Sequence, residues 1–185
     1  MATDQPRGAP SLSSAMNDRY DNLYVPVVKL IRQTRRAHLG KRPGGLFFEI
    51  LAYHAFNAGL SGDNLPNLYV NGLRAVAEQL AVVVGGADVV DPTMPGATIS
   101  VRVTELQMKT AASRFAELAA QAEDALAEDE RCRAAAAFRA CLGKGGDEEW
   151  VFPMPVDCNE DGSAKAGSVI VAGDRHVPAG DRRFA

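Results

Sequence analysis

Long apolar runs are missing from this sequence. No stretch approaches the roughly 20 residues that a bilayer-spanning helix requires, so a transmembrane segment is not expected. Met1–Ala15 lack an apolar segment flanked by basic residues, and no signal peptide is expected. Aromatic residues make up only 6% of the chain, so the core must come largely from aliphatic and alanine side chains. Alanine favours helix and lets helices approach closely. Cysteines number three, Cys132, Cys141 and Cys158, with no C-x-x-C. An odd count in a chain of 185 residues argues against a disulfide framework and for reduced thiols in a cytosol. The patterns G-x-x-x-x-G-K-[ST], H-E-x-x-H and G-x-S-x-G are absent, which removes P-loop, zincin and nucleophile-elbow signatures. His38, His54 and His176 lie far apart, none at ligand spacing from another His or Cys, so no metal site is expected.

What is present is 46% apolar residues, enough for one cored domain with tails. A formal net charge of -3 speaks against a protein that coats nucleic acid throughout, so any anion site must be local. Residues 1–20, rich in Pro, Ser, Gly and Ala, read as a disordered lead. Residues 21–153 read as a helical domain, and 154–185 as a flexible tail.

Five helices follow from apolar spacing of i, i+3, i+4, i+7. The first begins near Asp21 or Asn22, carries Pro26 in its first turn and stops at Gly40. The second carries Leu46, Phe47, Ile50, Leu51, His54 and Ala55 on its stripe and ends at Gly59. The third runs from Leu65 to Val84, with Tyr69, Leu73, Val76, Ala77, Leu80 and Val84 inward. A proline-containing loop follows, and Thr104 with Gln107 has the spacing of a capping box for a long fourth helix to Ala127. Its inward set is Leu106, Ala111, Phe115, Leu118, Ala122 and Leu126. Asp129 would cap a fifth helix to Leu142, burying Ala135, Ala136, Phe138 and Leu142. SVIVA (168–172) could form one short strand. The fold class expected is all-α, a compact bundle of about five helices with flexible ends.

The segment VVKLIRQTRRAHLGKRPGGLFFEIL, Val27–Leu51, concentrates positive charge in Lys29, Arg32, Arg35, Arg36, Lys41 and Arg42, with no acid before Glu49. At helical spacing Lys29, Arg32 and Arg36 share one face, opposite the apolar side. Arg grips phosphate through paired N–H bonds and Lys acts as a point charge, so such a row suits a triphosphate or an RNA backbone. A solvated basic face is the plainer reading of the same row. The acids Asp124, Glu128, Asp129 and Glu130 bunch on a helix end, and Asp147–Glu149 on a Gly-flanked loop; both groups read as solvated surface. His54 reads as a core histidine, and Cys132 and Cys141 as packing residues, with a Cys–His pair left open.

The order of these pieces resembles the C-terminal helical half of the template-independent nucleotidyltransferases that include oligoadenylate synthetase, cyclic GMP-AMP synthase and the bacterial cyclic-oligonucleotide synthases (CD-NTases) of antiphage defence. PVVKLIRQTRR is similar to that half's opening helix, with Lys29 at its basic position. GLFFEIL (45–51) follows as the next helix does, with Glu49 in register. VVDPTMPGATI (89–99), FRACLGK (138–144) and VFP (151–153) are similar to later segments, so the resemblance covers about Tyr24 to Pro153. It implies that Lys29, with Arg32, Arg36 and Gly45, lines the phosphate side of a nucleotide cleft. Gly45 and Leu46 stand where the family has a serine and an aromatic residue.

In that family, chemistry belongs to a separate half, where a GS motif and D-x-D acids hold two Mg²⁺ ions. D-x-D is absent from this sequence. The chain is therefore expected to hold no catalytic residue and no cofactor of its own, with Mg²⁺ and ATP or GTP belonging to a complete enzyme. Expected partners are a nucleoside triphosphate or RNA phosphate backbone and a separate catalytic domain, in the cytoplasm and away from membranes. Two other classes remain: a non-catalytic helical module binding RNA, nucleotide or protein, and a structural protein with accidental likeness.

Overall fold

A computed structural model describes residues 11–94 and 96–166 of the chain. Every regular element among these residues is a helix: α1 (Leu12–Arg19), α2 (Tyr24–Leu39), α3 (Gly45–Asn57), α4 (Leu65–Val84), α5 (Glu105–Ala127) and α6 (Arg131–Leu142). The all-α class read from the sequence is the observed one.

α3 organises the rest. Phe47, Phe48, Ile50, Leu51, Ala52, Ala55 and Phe56 are buried, and they point to more than one side of the helix. A helix apolar nearly all round is stable only when neighbours surround it. α2 covers one side with Val27, Val28 and Ile31, and α4 another with Tyr69, Leu73, Val76 and Leu80. Phe115 of α5 reaches Phe48, with ring centroids 4.7 Å apart. α2 and α4 also meet directly. A Cβ on Gly72 would lie 3.0 Å from Cδ1 of Ile31, so the small residue lets the two helices close up. Inside this seam Thr34 Oγ1 donates to the Leu30 carbonyl (3.1 Å), and the Tyr69 hydroxyl donates to Thr34 at 2.7 Å. The pair satisfies two buried hydroxyls that would otherwise be costly.

The start and end of the domain differ from the expectation. Part of the supposed disordered lead is α1. Ser11 caps it by accepting from the Ser14 amide (3.2 Å), and Met16 is buried. Asn17 accepts from the Val25 amide (3.1 Å), and Tyr20 donates to the Phe56 carbonyl (2.7 Å). The Pro- and Gly-rich composition of the first twenty residues, read as an average, conceals these anchors. Between α1 and α2, Asp21 and Asn22 adopt φ of 49° and 66°, a turn that suits short polar side chains.

Other assignments shift in detail. The Thr104–Gln107 capping box is present in both directions, at 3.2 and 2.9 Å. Leu46 and Leu106 face solvent, 66% and 74% exposed, because each stands in the first turn of its helix, beyond the reach of the neighbours. Leu126 also turns outward, and Met108, Ala119 and Ala125 take inward places instead. Ala136 and Phe138 are half-buried. The N-cap of α6 is Glu130 rather than Asp129, and its side chain makes no cap bond.

The segment after α6 is attached rather than free as far as residue 166. Cys132 of α6 is bonded to Cys158 across 26 residues, which corrects the expectation of reduced thiols. The tail turns back, brings Gly162 against Ala136 and places Cys158 beside Cys132; neither cysteine's spacing in sequence announces that return. The SVIVA segment lies outside the described residues.

Phe48 is fully buried and stacked on Phe115, so truncation leaves a cavity at the centre of the bundle. Phe48→Ala is expected to lower unfolding free energy by about 3–5 kcal/mol, measured by urea denaturation followed by helical circular dichroism.

Candidate cationic face and its surroundings

α2 is amphipathic. Its inner side carries Tyr24, Val27, Val28, Ile31 and Thr34, and Lys29, Arg32 and Arg36 stand exposed on the other. Their i, i+3, i+7 spacing aligns them along one outer face. Their circumstances differ. Lys29 and Arg36 make no hydrogen bond or ion pair among the described residues. Arg32 donates to Glu49 of α3 at 3.0 Å, a half-exposed pair that neutralises it locally.

Three further cations of the basic segment do not join this face. Arg35 turns to the α2–α3 connection, where its Nε donates to the Pro43 carbonyl at 2.7 Å. Burial, and then the neighbouring Arg32 charge, lower its pKa from the ordinary arginine value. Arg42 donates to the Arg102 carbonyl at 3.2 Å. Lys41 is exposed at the turn.

Gly45 opens α3, with Gly44 as its N-cap and no side-chain cap bond. Arg32 lies over it: a Cβ on Gly45 would be 3.3 Å from Arg32 Nε and 3.5 Å from Nη2. The four residues expected at one site are thus on adjoining surfaces. Lys29, Arg32 and Arg36 follow the outer face of α2, and Gly45 sits beneath the Arg32 guanidinium.

Sequence reasoning missed what borders Arg36. The chain leaves α6 at Gly143 (φ 64°) and passes back beside α2. The Gln33 amide on α2 donates to the carbonyls of Leu142 (3.0 Å) and Lys144 (2.9 Å). Gly146 then abuts the Arg36 guanidinium so closely that a Cβ there would overlap it. Asp147, Glu148 and Glu149 follow immediately, all exposed. The Gly145–Gly146 pair before three acids is the only trace of this contact in the sequence.

Among the described residues the open question of a Cys–His pair is answered by geometry; His176 lies outside them. His38 Nε2 donates to the carbonyls of Cys141 (3.0 Å) and Ala140 (3.2 Å), and Nδ1 accepts from Arg114 (3.0 Å). The ring meets the backbone of Cys141, not its sulfur. Burial pushes the Cys141 thiol up to about 11, so it remains protonated at neutral pH and is a poor nucleophile. Cys132 is consumed in the disulfide. Among the described residues no three His, Cys, Asp or Glu side chains converge to hold a metal ion, and no helix is long and apolar enough to cross a membrane.

A groove of about 810 Å³ lies away from the cationic face, between the end of α3 and α4, with His54, Arg74, Glu78 and Val82 among its lining. His54 is half-buried rather than enclosed in the core. Its Nε2 donates to the Val90 carbonyl at 2.7 Å and holds the 89–99 turn in place. That turn is closed by Asp91, which accepts from the Thr93 amide and hydroxyl at 2.8 and 2.6 Å.

No protein-family model, no curated protein and no solved structure matches this chain.

The His38 geometry sets a pH dependence. Burial first, and Arg114 second, hold its pKa below the ordinary value of 6.5, against the opposing pull of the two carbonyls. Protonation would turn Nδ1 into a donor facing another donor. The unfolded chain therefore binds the proton more readily, and the stabilisation is complete above the unfolded pKa. It is lost as pH falls through the depressed folded value. The urea midpoint of the wild type is expected to fall on acidification from neutral pH, and His38→Gln is expected to flatten that fall.

Proposed function

We propose that this chain is a helical phosphate-binding module that acts as the nucleotide-holding half of a template-independent nucleotidyltransferase, with catalysis supplied by a separate half. The observation that supports the reading is the outer face of α2, where Lys29 and Arg36 display charge without an acid partner. An exposed, unpaired cation has no carboxylate to give up before meeting an anion, whereas a paired one must first release its partner. Arg32 is the paired case. It would release Glu49 or remain as a positioning group over Gly45. The ligand class is a nucleoside triphosphate, ATP or GTP, with Mg²⁺ arriving on the nucleotide and at the catalytic half. The setting belongs to the same proposal: cytoplasmic synthesis of linear or cyclic oligonucleotide signals in antiviral defence. In a glutathione-buffered cytoplasm Cys132 and Cys158 would be held largely as thiols.

One observation favours a second reading, a non-catalytic module for RNA backbone. The two free cations are seven positions apart, hence about 10 Å along the helix axis. That separation suits an extended polyanion as well as a compact triphosphate. Binding to RNA would weaken steeply with salt as phosphates release counterions.

Calorimetric titration with ATP or GTP and Mg²⁺ separates these readings. Wild type is expected to bind, and Lys29→Glu to weaken binding at least about tenfold, since a charge reversal both removes an attraction and adds a repulsion. Equal, negligible heats for both proteins remove the nucleotide reading. Salt-sensitive binding of single-stranded RNA without nucleotide binding would favour the second.

A further inference from the structure

The segment Gly143–Ala166 behaves as a strap, fixed at one end by the α6 helix and pinned at the other by a single covalent bond. Between these ends it touches the cationic face. At the near end Gln33 holds the Leu142 and Lys144 carbonyls, and Gly146 packs on Arg36. The Gly145 amide donates to Glu149 (2.7 Å) and the Val151 amide to Gly143 (3.2 Å), forming a tight acidic turn. In the middle Trp150 lies on the guanidinium of Arg139, 4.5 Å from ring centroid to Cζ. Arg139 is nearly enclosed, and its Nη1 is 2.6 Å from Glu160. At the far end Arg131 pairs with Asp157 at 2.5 Å, and Cys158 is bonded to Cys132.

We infer that the strap is a redox-controlled cover for the α2 cationic face, in which the Cys132–Cys158 bond holds the Gly146 turn and its acids beside the Arg36 end and reduction lets that turn leave. This rests on the reading of that face as a phosphate site. The Gly146 backbone occupies the space beside the Arg36 guanidinium, and the exposed acids Asp147, Glu148 and Glu149 follow it on the same turn, Asp147 accepting from the Glu149 amide at 3.2 Å; their charge opposes an anion approaching that end. The turn is held indirectly. Trp150 closes it by pairing with Lys144 and rests on Arg139; Arg139 in turn is engaged by Glu160, two residues from Cys158.

Without the covalent bond, the far end depends on the Arg131–Asp157 and Arg139–Glu160 pairs and on the packing of Gly162 against α6. Each pair has one end in water, Arg131 in the first and Glu160 in the second, while Asp157 and Arg139 are mostly buried; the open end limits what each pair contributes. Opening the cross-link also removes the only side-chain covalent tie between Cys158 and α6, so the chain from Gly143 to Cys158 is held by non-covalent contacts alone. Chemically, a dithiol reductant attacks one sulfur as a thiolate and forms a mixed disulfide. Its second thiol then displaces the protein sulfur. The reductant becomes its own disulfide, and Cys132 and Cys158 gain two electrons and two protons as free thiols.

The test uses the full chain in three forms: oxidised, reduced with dithiothreitol, and Cys132→Ser/Cys158→Ser. ATP with Mg²⁺ and single-stranded poly(A) are the probes, with hydrogen exchange of residues 144–157 as a readout that needs no ligand. Reduction and the double serine variant are expected to speed exchange in that segment and to tighten Lys29-dependent binding by about fivefold, as the covered fraction of the protein is released. Asp147→Asn/Glu148→Gln/Glu149→Gln is expected to tighten binding in the oxidised form alone. Unchanged exchange on reduction overturns the cover, whatever the ligand result. Faster exchange with Lys29-dependent binding equal in both redox states also overturns it and leaves the phosphate face standing. Faster exchange with no binding in any form overturns the phosphate face, and with it any role for the strap as its cover.

Discussion

The burial of α3 is the constraint on which the remaining structure depends. Phe47, Phe48, Leu51 and Phe56 cannot be served by one partner, so α2, α4 and α5 must enclose them. Once α2 commits Val27, Val28, Ile31 and Thr34 to that enclosure, helix geometry turns Lys29, Arg32 and Arg36 outward together. The cationic face is therefore the reverse side of a packing decision. Its rigidity comes from the same source, since Gly72 brings α4 within contact of Ile31 and Thr34 meets Tyr69 in the buried seam. Burial pushes the Tyr69 hydroxyl well above the ordinary tyrosine range, so it stays a neutral donor there.

α6 joins the core through Cys141 and Leu142, and its following strap is organised around polar contacts. Arg139 is the pivot, buried against α6 yet engaged by Trp150 and Glu160 from the returning chain. Its planar face lies on the Trp150 indole and its charge is met by the nearby Glu160 carboxylate, although Nε and Nη1 make no hydrogen bond among the described residues. His38 joins α2 to the C-terminal end of α6 on the other side, as a neutral ring spanning Arg114 and two carbonyls. These contacts place the acidic turn next to Arg36. They are long-range in sequence and use residue types that occur all along the surface, so no local pattern foretells them.

The helices were legible where apolar spacing was long and sharply bounded. α4 and α5 lie where periodicity and the Thr104 capping box place them, because propensity, cap and stripe agree there. Leu106 was misread because a helical pattern continues to its end, while the neighbour that would bury its side chain stops earlier. α1 was missed because its few anchoring contacts, Met16, Asn17 and Tyr20, are outnumbered by loop-forming residues upstream. In the candidate site, the sequence indicated that the cations of α2 share a side. It was silent on which of them are already occupied: Arg32 by Glu49, Arg35 by Pro43 and Arg42 by Arg102.

By itself the sequence determined that this is a helical protein with one concentrated stretch of positive charge, since both follow from residues close together in the chain. Only the tertiary structure decided that Cys132 meets Cys158, that Arg32 lies on Gly45, and that an acidic turn stands beside Arg36. Those outcomes depend on how the segment after α6 is folded back against α2 and α6, a question of packing between distant residues that helical periodicity does not encode.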